Sequence, residues 1–526
     1  MKNRTGRKFK HGTLIPDAHD LLLAMGSGIL LFLSFPKFGN GALAWIFLAP
    51  LFYALRDKTP GQGMILGLIA GLTAHIGIMY WITLVVVNYG YLPYPVGIAA
   101  MLLLSGYLSL YTSLFAAAVV YFQRRELPFW LTAPVIWAVL EYARSHLLTG
   151  FPWENLGYSQ YQYLPVIQVA DITGVYGVSF LIVLVNALVF EAVKRRDNKK
   201  VLTAAVAAAT GVMLVVCGYG WYRLDDTARS GSAALPLNVR MVQGNIDQSV
   251  KWHPQYQRET IATYTALSNA PAASRPGLIV WPETAYPAFF QDANDMHREV
   301  AGVAKGNGAW MLFGSPAYER RGPEMVLFNS AFLLAPAGTV AGRYDKVHLV
   351  PYGEYVPLRR FFPFVNKLVA GIGDFGTGPG YHPLTMGTQR LGVLICYEGI
   401  FPEAARDYKR EGADFLVNIT NDAWFGRSSA PYQHLSMTVF RAVENRLDVV
   451  RAANTGISAL ISADGSIGVR MDLFQSGWHD VLVKFYNKRT FYSLWGDFFV
   501  YLCMVALILM SVNIAIRRKK HDRRDQ

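Results

Sequence analysis

Eight apolar runs punctuate this chain, at about residues 21–35, 41–55, 63–88, 94–122, 128–145, 168–193, 201–222 and 497–516, more than a soluble fold can bury. A helix crossing a bilayer needs about 20 such residues. The runs predict a polytopic α-helical membrane domain of about eight spans. The run at 128–145 is the least apolar, because Glu141 and Arg144 fall near its end. The basic stretch 1–20 followed by 21–35 reads as an uncleaved signal-anchor. Basic pieces at 56–58, 124–125, 194–200 and 517–524 join the N-terminus at every second connection. Positive residues favour cytoplasmic loops, so both termini are expected in the cytoplasm.

The formal net charge of +13 lies in these short pieces between apolar runs. A nucleic-acid binder carries its charge on a folded face, so no nucleic-acid partner is expected. The chain divides into a membrane domain over 1–222, an insertion over 223–495 facing out of the cytoplasm, and a last span with a basic tail over 496–526. Within the insertion, β-rich runs at 237–246, 277–281, 310–314, 330–334, 390–395, 415–419 and 449–462 alternate with helical patterns at 253–270, 292–305, 402–412 and 431–447. That alternation predicts one α/β layered domain. No internal repeat is legible.

One of those strands, 391–395, stops on Cys396-Tyr397-Glu398-Gly399. A thiol at a strand's C-terminal end, with a helix to follow, occupies a position that favours thiolate and catalysis. The other two cysteines, Cys217 and Cys503, lie inside apolar runs, so Cys396 has no disulfide partner in its own domain. Outside the cytoplasm, a lone cysteine reads as a retained reactive thiol. Two other turns supply complementary groups. Leu278-Ile-Val-Trp-Pro-Glu283 ends a strand on a carboxylate, and Lys346 precedes a Pro351-Tyr-Gly turn that leads to Glu354. A thiol attacking a carbonyl needs a base, and the resulting oxyanion needs a fixed cation or N–H donors. Taken singly, the three residues read as a buried small hydrophobe, a solvated turn and a surface charge. Their combination is what points to acyl chemistry.

Trp281-Pro-Glu283, the segment from Tyr344-Asp-Lys346 to Glu354, and Cys396-Tyr-Glu398 resemble the Glu–Lys–Cys triad motifs of the nitrilase superfamily. Gly150-Phe-Pro-Trp153, Gly157-Tyr-Ser-Gln160, Gln243-Gly-Asn245, Phe328-Asn329-Ser330 and the run from Asn418 to Gly426 extend the likeness to the whole chain, which resembles the apolipoprotein N-acyltransferase family. The resemblance implies a four-layer αββα sandwich. It makes Cys396 the acylated nucleophile, Glu283 the general base and Lys346 the oxyanion partner, helped by the Tyr397 N–H. Glu354 and Glu398 would hold Lys346 and the substrate amine, Trp252 and Tyr397 would line the mouth of the site, and Asn329 would support it. No metal or cofactor is implied. The acyl donor would be a membrane phospholipid, with phosphatidylethanolamine expected, and the acceptor the N-terminal amine of a diacylglyceryl-cysteine apolipoprotein. The setting would be a bacterial inner membrane with the catalytic domain in the periplasm.

Two other readings use the same features. A membrane-anchored amidase or nitrilase would pass the acyl group to water, and a transporter would use the outer domain only for binding. Acylation of Cys396 separates the transporter, and product analysis separates the hydrolase. Lastly, 356–380 is apolar and basic in its first half and glycine-rich in its second. It reads as a lid that rests Phe361, Phe362 and Phe364 on the bilayer and hinges on its glycines.

Overall fold

A computed structural model describes residues 15–230, 235–249, 251–271, 273–356 and 374–522. Among them, five helices are long and apolar enough to cross a membrane: Pro60–Met79, Tyr94–Gln123, Ala170–Lys194, Lys199–Arg229 and Phe498–Lys519. The remaining three expected runs are helical but shorter or less apolar. Ala18–Ser34 has 17 residues, and the second run is a 3-10 turn, Gly41–Trp45, followed by the seven-residue helix Leu48–Ala54. Phe129–His146 carries Glu141 and Arg144 on a buried face. The run at 63–88 is not one straight span. It breaks after Met79, and Trp81–Asn88 forms a separate helix. Trp81 Nε1 and Tyr89 OH there donate to Gln433 Oε1 and Ala423 O of the outer domain, at 3.1 and 2.7 Å.

Close packing between Pro60–Met79 and Tyr94–Gln123 follows from a four-residue spacing of glycines. Gly63, Gly67 and Gly71 lie against Ala116, Thr112 and Ser109, and a Cβ on Gly67 would sit 2.5 Å from Thr112 O. Small residues at that spacing let helix backbones approach closely in a lipid environment, where apolar burial gives no preference for helix over lipid.

The outer domain has twelve strands among the described residues, in two six-stranded sheets. The first sheet contains β1 (Leu237–Gln243), β2 (Leu278–Val280), β3 (Trp310–Arg321), β4 (Glu324–Leu334), β5 (Val340–Asp345) and β12 (Gly477–Val483), in the order β12-β1-β2-β3-β4-β5. The second contains β6 (Leu384–Met386), β7 (Gln389–Ile395), β8 (Phe415–Thr420), β9 (Val449–Ala453), β10 (Ser458–Ile461) and β11 (Ile467–Met471), in the order β6-β7-β8-β9-β10-β11. Each sheet has a parallel trio, β1-β2-β3 or β7-β8-β9, flanked by antiparallel strands, one before the trio and two after. The two halves therefore repeat one topology although their side chains show no repeat. The sheets pack face to face, with β1 against β9 and β10 and β4 against β7. Buried Ile, Leu and Val fill the strands that face neighbours on both sides, as parallel central strands require.

Helices cover both outer faces. Pro254–Ser268 and Asp295–Asn307 pack Ile261, Tyr264, Val300 and Val303 with Trp281 and Phe313 of the first sheet. Ala430–Asn445 covers the second sheet, and its opposite side meets the membrane helix Ala170–Lys194. Of its residues only Tyr432 is not fully buried. The layers are helix, sheet, sheet, helix, with the membrane domain against the last helix.

Parallel strands of both sheets deliver the site residues from their C-terminal ends. Glu283 follows β2, and Cys396 follows β7. The Glu283 turn rests directly on β3, where Gly314 N donates to Pro282 O at 3.1 Å and a Gly314 Cβ would lie 2.6 Å from Glu283 Cα and 2.4 Å from Thr284 N. Gly314→Ala should therefore push Glu283 out of place in a protein that still folds. A shift of about 1 Å at a catalytic group can cost on the order of 100-fold in rate. With Glu283 as the base that the resemblance implies, the reaction at Cys396, measured beside thermal unfolding, should slow by at least about tenfold while the fold persists.

Candidate active site

Lys346 follows β5, and its side chain is 1% exposed. Its ammonium lies 2.9 Å from Glu354 Oε2 and 3.9 Å from Glu283 Oε1. Burial alone would lower its pKa, but Glu354 and Glu283 outweigh it and hold the lysine charged. Asn329, on β4, ties the two acids together: its Nδ2 donates to Glu283 Oε1 and to Glu354 Oε1, both at 2.8 Å. The other Glu283 oxygen accepts from Asn421 N at 2.9 Å, just past the end of β8. Val350 N donates to Glu354 Oε2 at 2.7 Å and closes the turn that carries it. Four segments from both sheets thus converge on one cation and two carboxylates.

Cys396 begins the 3-10 turn Cys396–Ile400 with φ of 52°, in the left-handed region that a residue with a Cβ rarely adopts. The side chain is 8% exposed. Burial pushes its thiol pKa well up, Glu283 adds to this, and the lowering by Lys346 does not reverse it. This corrects the expected thiolate. A following helix does not rescue the charge, because Cys396 heads a short 3-10 turn and the α-helix starts only at Pro402. The raised pKa keeps Cys396 a thiol, and a thiol serving as nucleophile needs a base to take its proton.

Glu398 takes a different place from the one expected. It is fully buried, and its oxygens accept from Tyr344 OH (2.8 Å), Val347 N (2.7 Å), His348 N (3.1 Å) and Ile395 N (2.7 Å). With four donors on it, it holds the Cys396 turn to the segment after Lys346. Burial pushes its carboxyl up to about 7, against Lys346 and those donors. Tyr397 is buried at the other side of the turn, edge-on to Phe401 at 5.0 Å. Trp252 is half-buried beside Lys251.

Phe361, Phe362 and Phe364 lie outside the described residues. Of the glycines expected to hinge, Gly371 and Gly373 also lie outside the described residues, whereas Gly376 and Gly378 are bonded into the fold. Gly376 N donates to Leu327 O and Gly378 N to Lys346 O, at 2.7 and 2.9 Å. A Cβ on Gly378 would meet Asp345 O at 2.0 Å, so this glycine permits close packing beside Lys346.

Lys251 was not legible as a site residue. It is fully buried, and its Nζ contacts Thr284 Oγ1 at 2.6 Å and Glu283 O at 3.3 Å, so it braces the Glu283 turn. Burial lowers its pKa to about 7, with Glu283 opposing. The one cue in the sequence is its position next to Trp252. Asn421 stood within the noted Asn418–Gly426 run, but nothing in the run singled out its backbone N–H.

Family models match both parts of the chain: the apolipoprotein N-acyltransferase N-terminal domain over residues 27–188 and carbon-nitrogen hydrolase over residues 238–484. An apolipoprotein N-acyltransferase of Geobacter metallireducens is 47% identical over 504 residues, 95% of this chain and 96% of that protein. One from Haemophilus ducreyi is 30% identical over 514 residues, 95% of this chain and 97% of that protein. A solved amidase from Nesterenkonia sp. is 18% identical, with a TM-score of 0.37, and covers 48% of this chain and 92% of that one.

Two outcomes follow from this geometry. Alkylation of Cys396 by an uncharged reagent should keep rising with pH through and beyond the neutral range; a plateau below pH 7 would show a thiolate. Glu398→Gln should place an amide N–H against the Ile395 N–H and cost about 1–3 kcal/mol of stability. Denaturant unfolding of the outer domain in the full-length protein measures it, and an unchanged midpoint would mean that the Glu398 contacts carry no stability.

Proposed function

Because the chain belongs to the apolipoprotein N-acyltransferase family, and is an N-acyltransferase of lipoprotein biosynthesis, we propose that it works through a thioester on Cys396 with Glu283 as base and Lys346 as oxyanion partner. The observation that carries this reading is the buried Lys346 held between Glu283 and Glu354 in a site whose thiol stays protonated at rest.

Glu283 takes the thiol proton as sulfur attacks the ester carbonyl of a phospholipid. Negative charge gathers on the carbonyl oxygen, where Lys346 and the Tyr397 N–H stabilise it; the first N–H groups of a helical turn have no partner inside it. The ester C–O bond then breaks, and the proton passes from Glu283 to the leaving alkoxide, which departs as a lysophospholipid. In the second half, the uncharged N-terminal amine of a diacylglyceryl-cysteine attacks the thioester carbonyl. Glu283 accepts a proton from nitrogen, the C–S bond breaks, and sulfur is reprotonated. Ester to thioester to amide requires no nucleotide. Phosphatidylethanolamine is the donor we infer, and the outer domain faces the periplasm with both termini cytoplasmic, as the basic connections indicate. Both substrates are anchored in lipid, which accounts for a hydrolase-type domain carried on membrane helices.

Glu283→Gln and Lys346→Met should each slow acylation of Cys396 by about 100- to 1000-fold in protein that remains folded. The double change Cys217→Ala with Cys503→Ala should leave the rate nearly intact. The measurement is acyl-enzyme formed per folded molecule with a phospholipid of defined chain. Wild-type rates in either triad variant would overturn the assignment. Free fatty acid in place of N-acylated peptide would mark a hydrolase.

A further inference from the structure

Beneath Cys396 lies a buried polar network that the reaction as described does not use. The Cys396 carbonyl oxygen accepts a hydrogen bond from His434 Nε2 at 3.0 Å. A carbonyl can only accept, so Nε2 carries the proton. The other ring nitrogen, Nδ1, lies 3.1 Å from both Arg451 Nη2 and Asp422 Oδ1. Burial and Arg451 lower the His434 pKa, although Asp422 opposes them. Nδ1 thus lies between the Arg451 donor and the Asp422 carboxylate, and the two together hold the ring in place. Asp422 is occupied in turn by Arg451 Nη2 at 2.7 Å and Thr420 Oγ1 at 2.9 Å. Arg451 also donates to Asn418 Oδ1 and to Ile457 O, and Asn418 Nδ2 donates to Leu394 O at 3.0 Å. The network thus grips β7 just before the nucleophile and the nucleophile's own carbonyl. His434, Asp422 and Arg451 are all at most 1% exposed.

The residue before His434 reaches the other way. Gln433 Oε1 accepts from Trp81 Nε1 at 3.1 Å and Trp153 Nε1 at 2.9 Å, and its Nε2 donates to Pro36 O and Ile78 O, both at 3.2 Å. All four capacities of the amide are filled, and all four partners belong to the membrane domain. Two indole donors fix which end is oxygen, and two carbonyls fix which end is nitrogen. The Trp153 ring also lies over the His434 ring, with centroids 5.9 Å apart.

We propose that His434 is a positioning residue that holds Cys396 in its left-handed reactive conformation, and that Gln433 beside it makes the membrane domain part of that support. The backbone of Cys396 is unfavourable for a residue with a Cβ and needs surrounding contacts to persist. The hydrogen bond to its carbonyl opposes the peptide rotation that would relax it. The His434–Asp422–Arg451 chain keeps that donor aimed, and the Gln433 contacts keep the Ala430–Asn445 helix in register with the membrane helices. This inference rests on Cys396 being the acylated residue.

The test uses full-length protein in vesicles with saturating phospholipid. His434→Leu removes the donor, His434→Gln keeps an N–H donor, and Gln433→Leu cuts the tie to the membrane domain. His434→Leu should slow Cys396 acylation by about 100-fold per folded molecule with an unchanged KM for phospholipid. His434→Gln should recover most of that loss, and Gln433→Leu should lower kcat in the same direction by less. Where His434→Leu does not fold, the comparison of His434→Gln and Gln433→Leu with wild type decides. A kcat equal to wild type in Gln433→Leu, or a loss in His434→Gln as deep as in His434→Leu, overturns the proposal. Cys396→Ala is run alongside: acyl transfer that persists there contradicts the thioester reading itself, whatever the His434 variants do.

Discussion

The site depends on a lysine that is nearly sealed from water. Removing an ammonium from solvent is costly unless opposite charge and hydrogen bonds compensate, and at Lys346 two carboxylates supply that compensation. Glu354 touches it directly at 2.9 Å, while Glu283 stands at 3.9 Å. That asymmetry matters for chemistry. Glu354 fixes the cation, which leaves Glu283 the less engaged of the two and suits it to the base role we propose, and Asn329 bonds to both acids. A charged, dry lysine is a strong partner for an oxyanion because no solvent has to reorganise around it. Around this cluster the two sheets acquire their arrangement: β2, β4, β5, β7 and β8 all end or pass where their loops can reach it.

The second constraint is the junction with the membrane domain. The Ala430–Asn445 helix is buried on all sides, which is unusual for a helix carrying His434, Arg441 and Glu444. Several of its polar groups pair across the junction. Arg441 Nη2 donates to Tyr158 OH at 3.0 Å, Val175 N donates to Glu444 Oε1 at 3.1 Å, and just beyond the helix Arg446 pairs with Asp171 at 2.6 Å. Buried pairs of this kind add little net stability, but breaking one partner is severe, so they specify a single docking geometry. The outer domain is therefore seated on the membrane helices in one register, not tethered loosely to them.

Much of this was legible in the sequence, and the residues show where legibility stopped. Cys396, Glu283 and Lys346 stood out because each interrupts an apolar or patterned stretch at an element's end. Central strands such as β7 and β8 were plain as short apolar runs. Edge strands were not. In β5, β11 and β12, polar residues interrupt the apolar run, so strand and loop look alike. The run at 449–462 read as one strand but turns at Asn454-Thr-Gly456 into β9 and β10, a reversal set by contacts far away in sequence. The thiol's protonation followed a local rule about helix starts that burial overrode. His434 and Lys251 were hidden for a different reason: a polar residue in a helical or turn pattern is taken as solvent-facing, and only the packing of a second domain or a neighbouring turn buries it. The repeated sheet topology was invisible because it lives in strand direction and order, while the side chains of the two halves have different neighbours.

We propose that one thiol, uncharged at rest, becomes the carrier of the acyl chain. Peptide-level mass spectrometry of the purified full-length protein tests it most directly, after incubation with a phospholipid of defined acyl length and then with a diacylglyceryl-cysteine peptide. The expected result is a single acyl mass on the peptide containing Cys396, labile to hydroxylamine, that disappears as the same mass arrives in amide linkage on the added peptide. An acyl group on any other residue, or an adduct on Cys396 that the amine fails to discharge, would contradict it.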